Sequence, residues 1–221
     1  MSAWEANVRE TYDRVAGEYA ARIFGELAGK PFDRATLDRF AEQALPLGPV
    51  CDLGCGPGQV ARYLHEGWHQ RGLDVFGIDL SPAMVERARQ LNPGLRFEQG
   101  TMLALDLADD SLGGIAAFYS IVNVPREDQP RAFAELQRVL VPGGLLLVAF
   151  HVGDETVHLE EWWDTPVSVD FYFFQLDEIA DRLATAGFTI EERNVREPYP
   201  DVEHPSRRAY LLARKPSDVR S

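Results

Sequence analysis

The sequence predicts an α/β protein: an open, twisted, mostly parallel sheet with helices on both faces and an antiparallel last strand. Three observations predict it. Five short apolar runs (PVCDL, LDVFGID, LRFEQG, GGIAAFYSIV and GLLLVAF) alternate with amphipathic helical stretches at 58–66, 82–91 and 128–140. That rhythm is the mark of parallel strands covered on both sides. A glycine-rich loop, CDLGCGPGQ, joins the first run to the first of those helices. The chain ends in two further strands, FTIEERNV and RRAYLLARK, joined by REPYPDVEHPS. That connection is too short and too proline-rich for a crossover helix, so the two strands pair antiparallel.

The elements follow in order. Residues 3–24 read as a helix, with Val8, Tyr12, Val15, Tyr19 and Ile23 three to four apart. Residues 32–45 read as a second helix, ended by Pro46 and Gly48. Ser81-Pro82 sets a capping residue before a proline at the first helical position. Pro142-Gly143-Gly144 stops the 128–140 helix and turns the chain into its next strand. After Phe150 the rhythm loosens across His151, His158, Trp162 and Trp163. SVDFYFF then reads as a strand or extended segment, and 176–186 as a helix stopped by Gly187. The tail after Pro216 reads as frayed. The whole of 1–221 is expected to be one domain. Its parts are a helical segment (1–46), a ligand-binding half (47–150) and a substrate-side half (151–221).

The totals narrow the function. The chain has 221 residues, enough to bury a core without staples. Its formal net charge of −13 works against a phosphate backbone or an anionic membrane surface. The expected partner is therefore a small molecule, with no nucleic acid and no membrane, and the chain is expected to be a monomer or homodimer. LLLVAF is far too short to span a bilayer. MSAWEANVRE has no apolar segment of a secretory signal. Two cysteines in that context point to the reducing cytoplasm.

The glycine loop lies at the carboxyl end of the first parallel strand, where open α/β sheets hold ligands. A phosphate loop would need a lysine after its last glycine, and none follows. A dinucleotide fingerprint needs GxGxxG. Here Gly54-Cys55-Gly56-Pro57-Gly58-Gln59 brings the third glycine one position early. Cys51 and Cys55 are the only cysteines and no histidine is near, so no metal site is expected. Asp52 is charged inside an apolar strand, where it either accepts loop N–H groups or holds a cationic ligand group. Asp79 ends the next strand 27 residues later. An acid there is placed to accept from both hydroxyls of a ribose.

VCDLGCGPGQVARYL followed by FGIDLSPAMVERAR strongly resembles the class I S-adenosylmethionine-dependent methyltransferases of small-molecule type. EQGTMLALDLADDSLGGIAAFYSIVNVP and RAFAELQRVLVPGGLLLVAF extend the resemblance over residues 48–150 and the closing strands. It implies a Rossmann-like, seven-stranded sheet and S-adenosylmethionine as cofactor, with S-adenosylhomocysteine as product. It also implies that Gly54, Cys55, Gly56 and Gly58 lie against the methionine part, with Asp52 near the amino group. Asp79 would hold the ribose, Leu80 and Met84 the adenine side. Gly100, Thr101 and Met102 follow the third strand at adenine-contacting positions, where many members carry an acid in place of the threonine. Tyr119 and Ser120 would sit beside the sulfonium. YDRVAGEYAAR resembles the family's N-terminal lid, placing Tyr12 and Tyr19 over the cofactor, where ring faces attract cations. Both tyrosines also read as the buried face of an amphipathic helix.

The implied reaction is direct displacement on the methyl group by an O, N, S or C atom, with positioning as the main source of rate. A base is needed only for a protonated acceptor. His151 and His204 are the candidate bases. Asn123 stands where several relatives carry histidine. Asn123, Trp162, Tyr172 and Arg207, with the two histidines, are the candidate acceptor contacts, set in the 152–173 segment and the 196–208 loop. A regulatory, non-catalytic S-adenosylmethionine binder and a nicotinamide oxidoreductase are the competing readings. The early third glycine speaks against the latter.

Overall fold

The computed structural model describes residues 1–217. Residues 218–221 of the tail expected to fray lie outside the described residues.

The chain opens with α1 (Ala3–Ile23), started by a capping box in which the Ser2 hydroxyl accepts from Glu5 N–H and the Glu5 carboxylate accepts from Ser2 N–H. A 3₁₀ turn at Glu26–Gly29 leads into α2 (Pro31–Ala44). Next come β1 (Val50–Leu53), α3 (Gln59–Trp68), β2 (Val75–Asp79), α4 (Pro82–Leu91), β3 (Arg96–Gln99) and β4 (Leu112–Phe118). Then follow α5 (Gln129–Val139), β5 (Leu140–His151), β6 (Thr156–Trp162), β7 (Thr165–Tyr172), α6 (Leu176–Thr185), β8 (Thr189–Arg196) and β9 (Arg208–Arg214).

Seven strands form one sheet in the order β3-β2-β1-β4-β5-β9-β8. All neighbours run parallel except at β9, which is antiparallel to both β5 and β8. β8 therefore runs with β5, and the loop from β8 to β9 returns to the carboxyl edge. Strand order reverses between β1 and β4, which opens the crevice of a doubly wound sheet at their carboxyl ends.

The central strands β1, β4 and β5 are buried on both faces, with alternate residues serving opposite cores. Leu146, Val148 and Phe150 of β5 pack with Phe133 and Leu136 of α5 and Ile179 and Leu183 of α6. Leu145, Leu147 and Ala149 pack with Leu37 and Phe40 of α2 and Leu64 of α3.

Three local expectations are revised. The run GGIAAFYSIV is strand only to Phe118, and Ile121–Asn123 forms a 3₁₀ turn. β5 begins at Leu140 and carries Pro142-Gly143-Gly144 within it. Gly143 has φ 84, and the β4–β5 register shifts between Leu112 and Gly114. The loosened 151–167 segment contains β6, which pairs with β7 as a separate antiparallel hairpin. That hairpin packs on α1.

Helix α1 lies across the carboxyl edge, tied by side chains to loops after three strands. Glu5 Oε1 accepts from Thr101 Oγ1 at 2.5 Å, beyond β3. Asp13 Oδ1 accepts from Ser81 Oγ at 2.6 Å and from Ala83 N–H at 3.2 Å, where α4 starts. Tyr12 Oη donates to Asn123 Oδ1 at 3.0 Å, beyond β4.

Candidate functional site

Strand ends build the site. The main cavity encloses about 1000 Å³ of empty space, including space open to solvent. Its floor is the turn after β1. Gly54 and Gly56 have φ of 72 and 51, a region glycine enters without strain. A Cβ on Gly54 would fall 2.3 Å from the Ser120 Cβ, so the loops after β1 and β4 meet only because Gly54 has no side chain.

Asp79 ends β2 and faces the cavity. Its Oδ2 accepts from Gly56 N–H and its Oδ1 from Ser81 N–H, each at 2.8 Å. Those bonds fix both oxygens and leave each a further lone pair for a ligand hydroxyl. Burial raises the Asp79 pKa to about 6, against the lowering effect of the backbone bonds. Leu80, Gly100, Thr101 and Met102 continue the wall.

Tyr119 and Ser120 close the β4 side. Tyr119 has φ 55, a strained value for a tyrosine. Its hydroxyl lies 3.0 Å from that of Tyr210, which donates to Asp33 Oδ1 at 3.0 Å. Tyr12 and Tyr19 form the roof and pack edge-on at 5.7 Å. Trp162 packs on both, each at 5.7 Å, so the β6–β7 hairpin backs the roof without lining the cavity.

Among the described residues, two buried oxygens on the cavity wall find no hydrogen-bond partner, Gln59 Oε1 and Ser120 Oγ. Such groups are costly unless a ligand or water satisfies them. Sequence reasoning missed Gln59, which it read only as the residue standing where a dinucleotide loop has its third glycine. It also missed Glu26, Asp33, Trp4 and Arg9, all on the wall. The last four come from the N-terminal helices, and their spacing alone carries no such signal.

Several expected site residues lie off the cavity. Asp52 is buried and accepts from Ala61 N–H at 2.9 Å, tying β1 to the first turn of α3, and burial raises its pKa to about 7. Cys55 and Met84 belong to the core. Gly58 is the left-handed cap of α3, where a Cβ would meet Asn92 and Phe97 at 2.7 Å. Tyr172 stacks on Phe174 at 6.3 Å. Arg207 is exposed in the loop before β9, while its neighbour Arg208, the first residue of that strand, is buried. Asn123 does line the cavity, with both ends of its amide engaged by Tyr12 and the Asp170 carbonyl. His151 ends β5 behind Tyr119, and His204 is exposed on the β8–β9 loop, 6.0 Å from the His151 ring.

Behind Tyr119 lies a buried charge cluster. Arg196 pairs with Asp33 at 2.7 Å and with Glu203. Lys30 pairs with Glu26 at 2.8 Å and Glu203 at 3.3 Å, and Arg208 approaches Glu203 at 3.5 Å. The Glu203 pKa lies at about 2: burial opposes ionisation, and the Arg196 bond, the Tyr199 N–H and the neighbouring cations outweigh it.

Comparison with known proteins agrees with this geometry. Residues 50–144 match the family described as a methyltransferase domain. A malonyl-[acyl-carrier protein] O-methyltransferase from Pectobacterium atrosepticum is 35% identical over 163 residues, 70% of this chain and 60% of that protein. Across four such relatives this chain spans between 60% and 64% of their length. A solved DhpI–SAH complex superposes with a TM-score of 0.74 at 20% identity, covering 98% of this chain and 99% of that one. The [4+2]-cyclase SpnF superposes at 0.70 with 20% identity, covering 96% and 97%.

Proposed function

This chain belongs to the class I S-adenosylmethionine-dependent methyltransferases, and from that premise we propose that it methylates an O, N, S or C atom of a small-molecule acceptor, releasing S-adenosylhomocysteine. The observation that carries the proposal is the meeting of Asp79, the Gly54–Gly56 turn and Ser120 on one cavity wall. The residues fit the cofactor. The unpartnered Gln59 Oε1 and Ser120 Oγ suit an ammonium group, and the side-chain-free Gly54 suits close approach of a ligand.

When bound, S-adenosylmethionine supplies an electrophilic methyl group on a sulfonium centre. Asp79 accepts hydrogen bonds from the two ribose hydroxyls. Leu80, Gly100, Thr101 and Met102 flank the adenine. Gln59 and Ser120 accept from the methionine ammonium. The Tyr119 ring offers its electron-rich face to positive charge. Tyr12 and Tyr19 exclude water and restrict the acceptor's approach, so catalysis rests chiefly on alignment.

The net charge of −13 and the absence, among the described residues, of a helix long and apolar enough to cross a membrane support a small acceptor over nucleic acid or lipid. Two buried free thiols support a reducing, cytoplasmic setting, and the protein is proposed to act as a monomer or homodimer. The test is formation of S-adenosylhomocysteine from S-adenosylmethionine over a panel of carboxylate, phenol, thiol and amine acceptors. Acceptor-dependent product supports the proposal. Cofactor binding without transfer to any acceptor would leave a regulatory binder on the same fold, since fold alone does not fix chemistry.

A further inference from the structure

Helix α1 brings a buried carboxylate to the edge of the cofactor cavity, and the bond it makes there has a fixed direction. Trp4, Val8 and Arg9 of α1 line the cavity. Glu5, beside them in the helix, is 4% exposed and meets the cavity wall through Thr101. Its Oε1 accepts from Thr101 Oγ1 at 2.5 Å. Its Oε2 accepts from Ser2 N–H at 2.7 Å and from Ser2 Oγ at 3.0 Å. Burial opposes ionisation of Glu5, and the bonds from Thr101 and Ser2 outweigh it, holding the carboxyl below its ordinary value. An ionised carboxylate can only accept, so the Thr101 hydroxyl proton points at Glu5.

That direction decides what Thr101 offers a ligand. A hydroxyl has one proton and two lone pairs. The proton is committed to Glu5, and Leu103 N–H donates to one lone pair at 3.2 Å. What remains for the cavity is the other lone pair. A free hydroxyl can donate or accept. This one can only accept, and the charge on Glu5 makes it a stronger acceptor.

Its neighbours leave that task to Thr101. Leu80, Gly100 and Met102, on the same wall, have no polar side chain to accept with. From α1, Trp4 spends its Nε1–H on Asp128 at 2.6 Å, and the Arg9 guanidinium has only donors. The wall beyond Asp79 is where the cofactor reading sets the adenine, whose exocyclic amino group is an N–H donor.

We propose that Glu5 is a positioning residue for cofactor recognition: by taking the Thr101 hydroxyl proton in its hydrogen bond, it turns that hydroxyl into an acceptor for the exocyclic amino group of the cofactor's base. Because Glu5 belongs to α1, the base is read only while α1 lies docked across the carboxyl edge. The proposal rests on the cofactor reading, and its test separates the two.

The experiment is calorimetric titration of the full chain with S-adenosylhomocysteine and with its analogue carrying hydrogen in place of the exocyclic amino group. The readout is the ratio of the two Kd values. The unaltered protein should favour S-adenosylhomocysteine about tenfold. Thr101→Val should bring the ratio near one, and Thr101→Ser, which keeps the hydroxyl, should preserve it. Glu5→Gln is the sharper variant. Ser2 N–H needs the amide oxygen, so the amide NH₂ faces Thr101 and reverses the bond, and the hydroxyl proton turns to the cavity. Its ratio should fall to one or below. Glu5→Ala, which frees the hydroxyl to rotate, should lower the ratio as well and serves if Glu5→Gln does not fold; circular dichroism and thermal melts check each variant. A merely structural tie between α1 and the loop after β3 would weaken both ligands by the same factor. An unchanged ratio in the folded Glu5 variants or in Thr101→Val therefore overturns the proposal, as does a ratio near one in the unaltered protein. Failure of both ligands to bind the unaltered protein overturns the cofactor reading and the proposal with it.

Discussion

Replacing Asp79 with alanine should cost the protein its cofactor while leaving the fold nearly as stable. Two terms act on stability and oppose each other. The variant strands Gly56 N–H and Ser81 N–H, each bonded to the carboxylate at 2.8 Å, at ~1–2 kcal/mol apiece. It also removes a buried carboxylate whose pKa stands at about 6 against 3.8, a penalty of about 3 kcal/mol above pH 7. The expected change in unfolding free energy is therefore about 1 kcal/mol or less. Binding has no such offset. Losing two charge-assisted bonds to ribose hydroxyls costs about 3 kcal/mol or more, which is about a hundredfold in Kd. Denaturant unfolding and calorimetric titration with S-adenosylhomocysteine read the two quantities separately. A ligand analogue lacking both ribose hydroxyls should bind wild type and variant alike. A folded variant with unchanged affinity for S-adenosylhomocysteine would refute the ribose assignment.

Other perturbations have equally definite outcomes. Because Asp79 in the free protein takes up a proton near pH 6, affinity for S-adenosylhomocysteine should fall by up to about tenfold per pH unit below that value. Titrations from pH 8 to pH 5 check this, and a flat profile contradicts it. Gly54→Ala forces a Cβ into φ 72 and to 2.3 Å from the Ser120 Cβ. It should cost about 2 kcal/mol or more in denaturant unfolding and abolish ligand binding. Asp33→Ala leaves Arg196 with less compensation in a buried cluster and should cost about 3–5 kcal/mol by the same measurement. Stability should rise by about 2–3 kcal/mol as pH falls from 7 to 4.5, because two groups gain and one loses. There the neutral, buried His151 loses stability as pH falls, while Asp52 and Asp79, with raised pKa values, gain it. Below about pH 4 stability should drop, since the contribution of Glu203 (pKa about 2) is fully present above its usual value of 4.5 and is lost as pH falls toward 2. Thermal melts across that range show whether the drop begins there.

The parallel half of the fold was legible because each element is short, apolar and bounded by its own turn signal. Asp79 and the Gly54–Gly56 turn were legible for the same reason: strand ends place them. The β6–β7 hairpin was not. Its turn is Trp163-Asp164, both at positive φ (51 and 59), and a tryptophan there gives no cue of the kind Asn-Gly would. The cluster of Lys30, Asp33, Arg196, Glu203 and Arg208 was also invisible, since residues up to 178 positions apart meet only through sheet order. Arg207 and Arg208 differ because the first ends an exposed loop and the second opens β9, a boundary one residue wide that the sequence does not mark. His151 was singled out for its place at the end of the fifth strand, and its contact with Arg208, 57 residues away in sequence, was not legible.

The most direct test of the central claim is calorimetric titration of the purified protein with S-adenosylmethionine, S-adenosylhomocysteine and NADH. The account predicts micromolar binding of the first two and none of the third. Binding of NADH, with silence from both sulfur ligands, would contradict it.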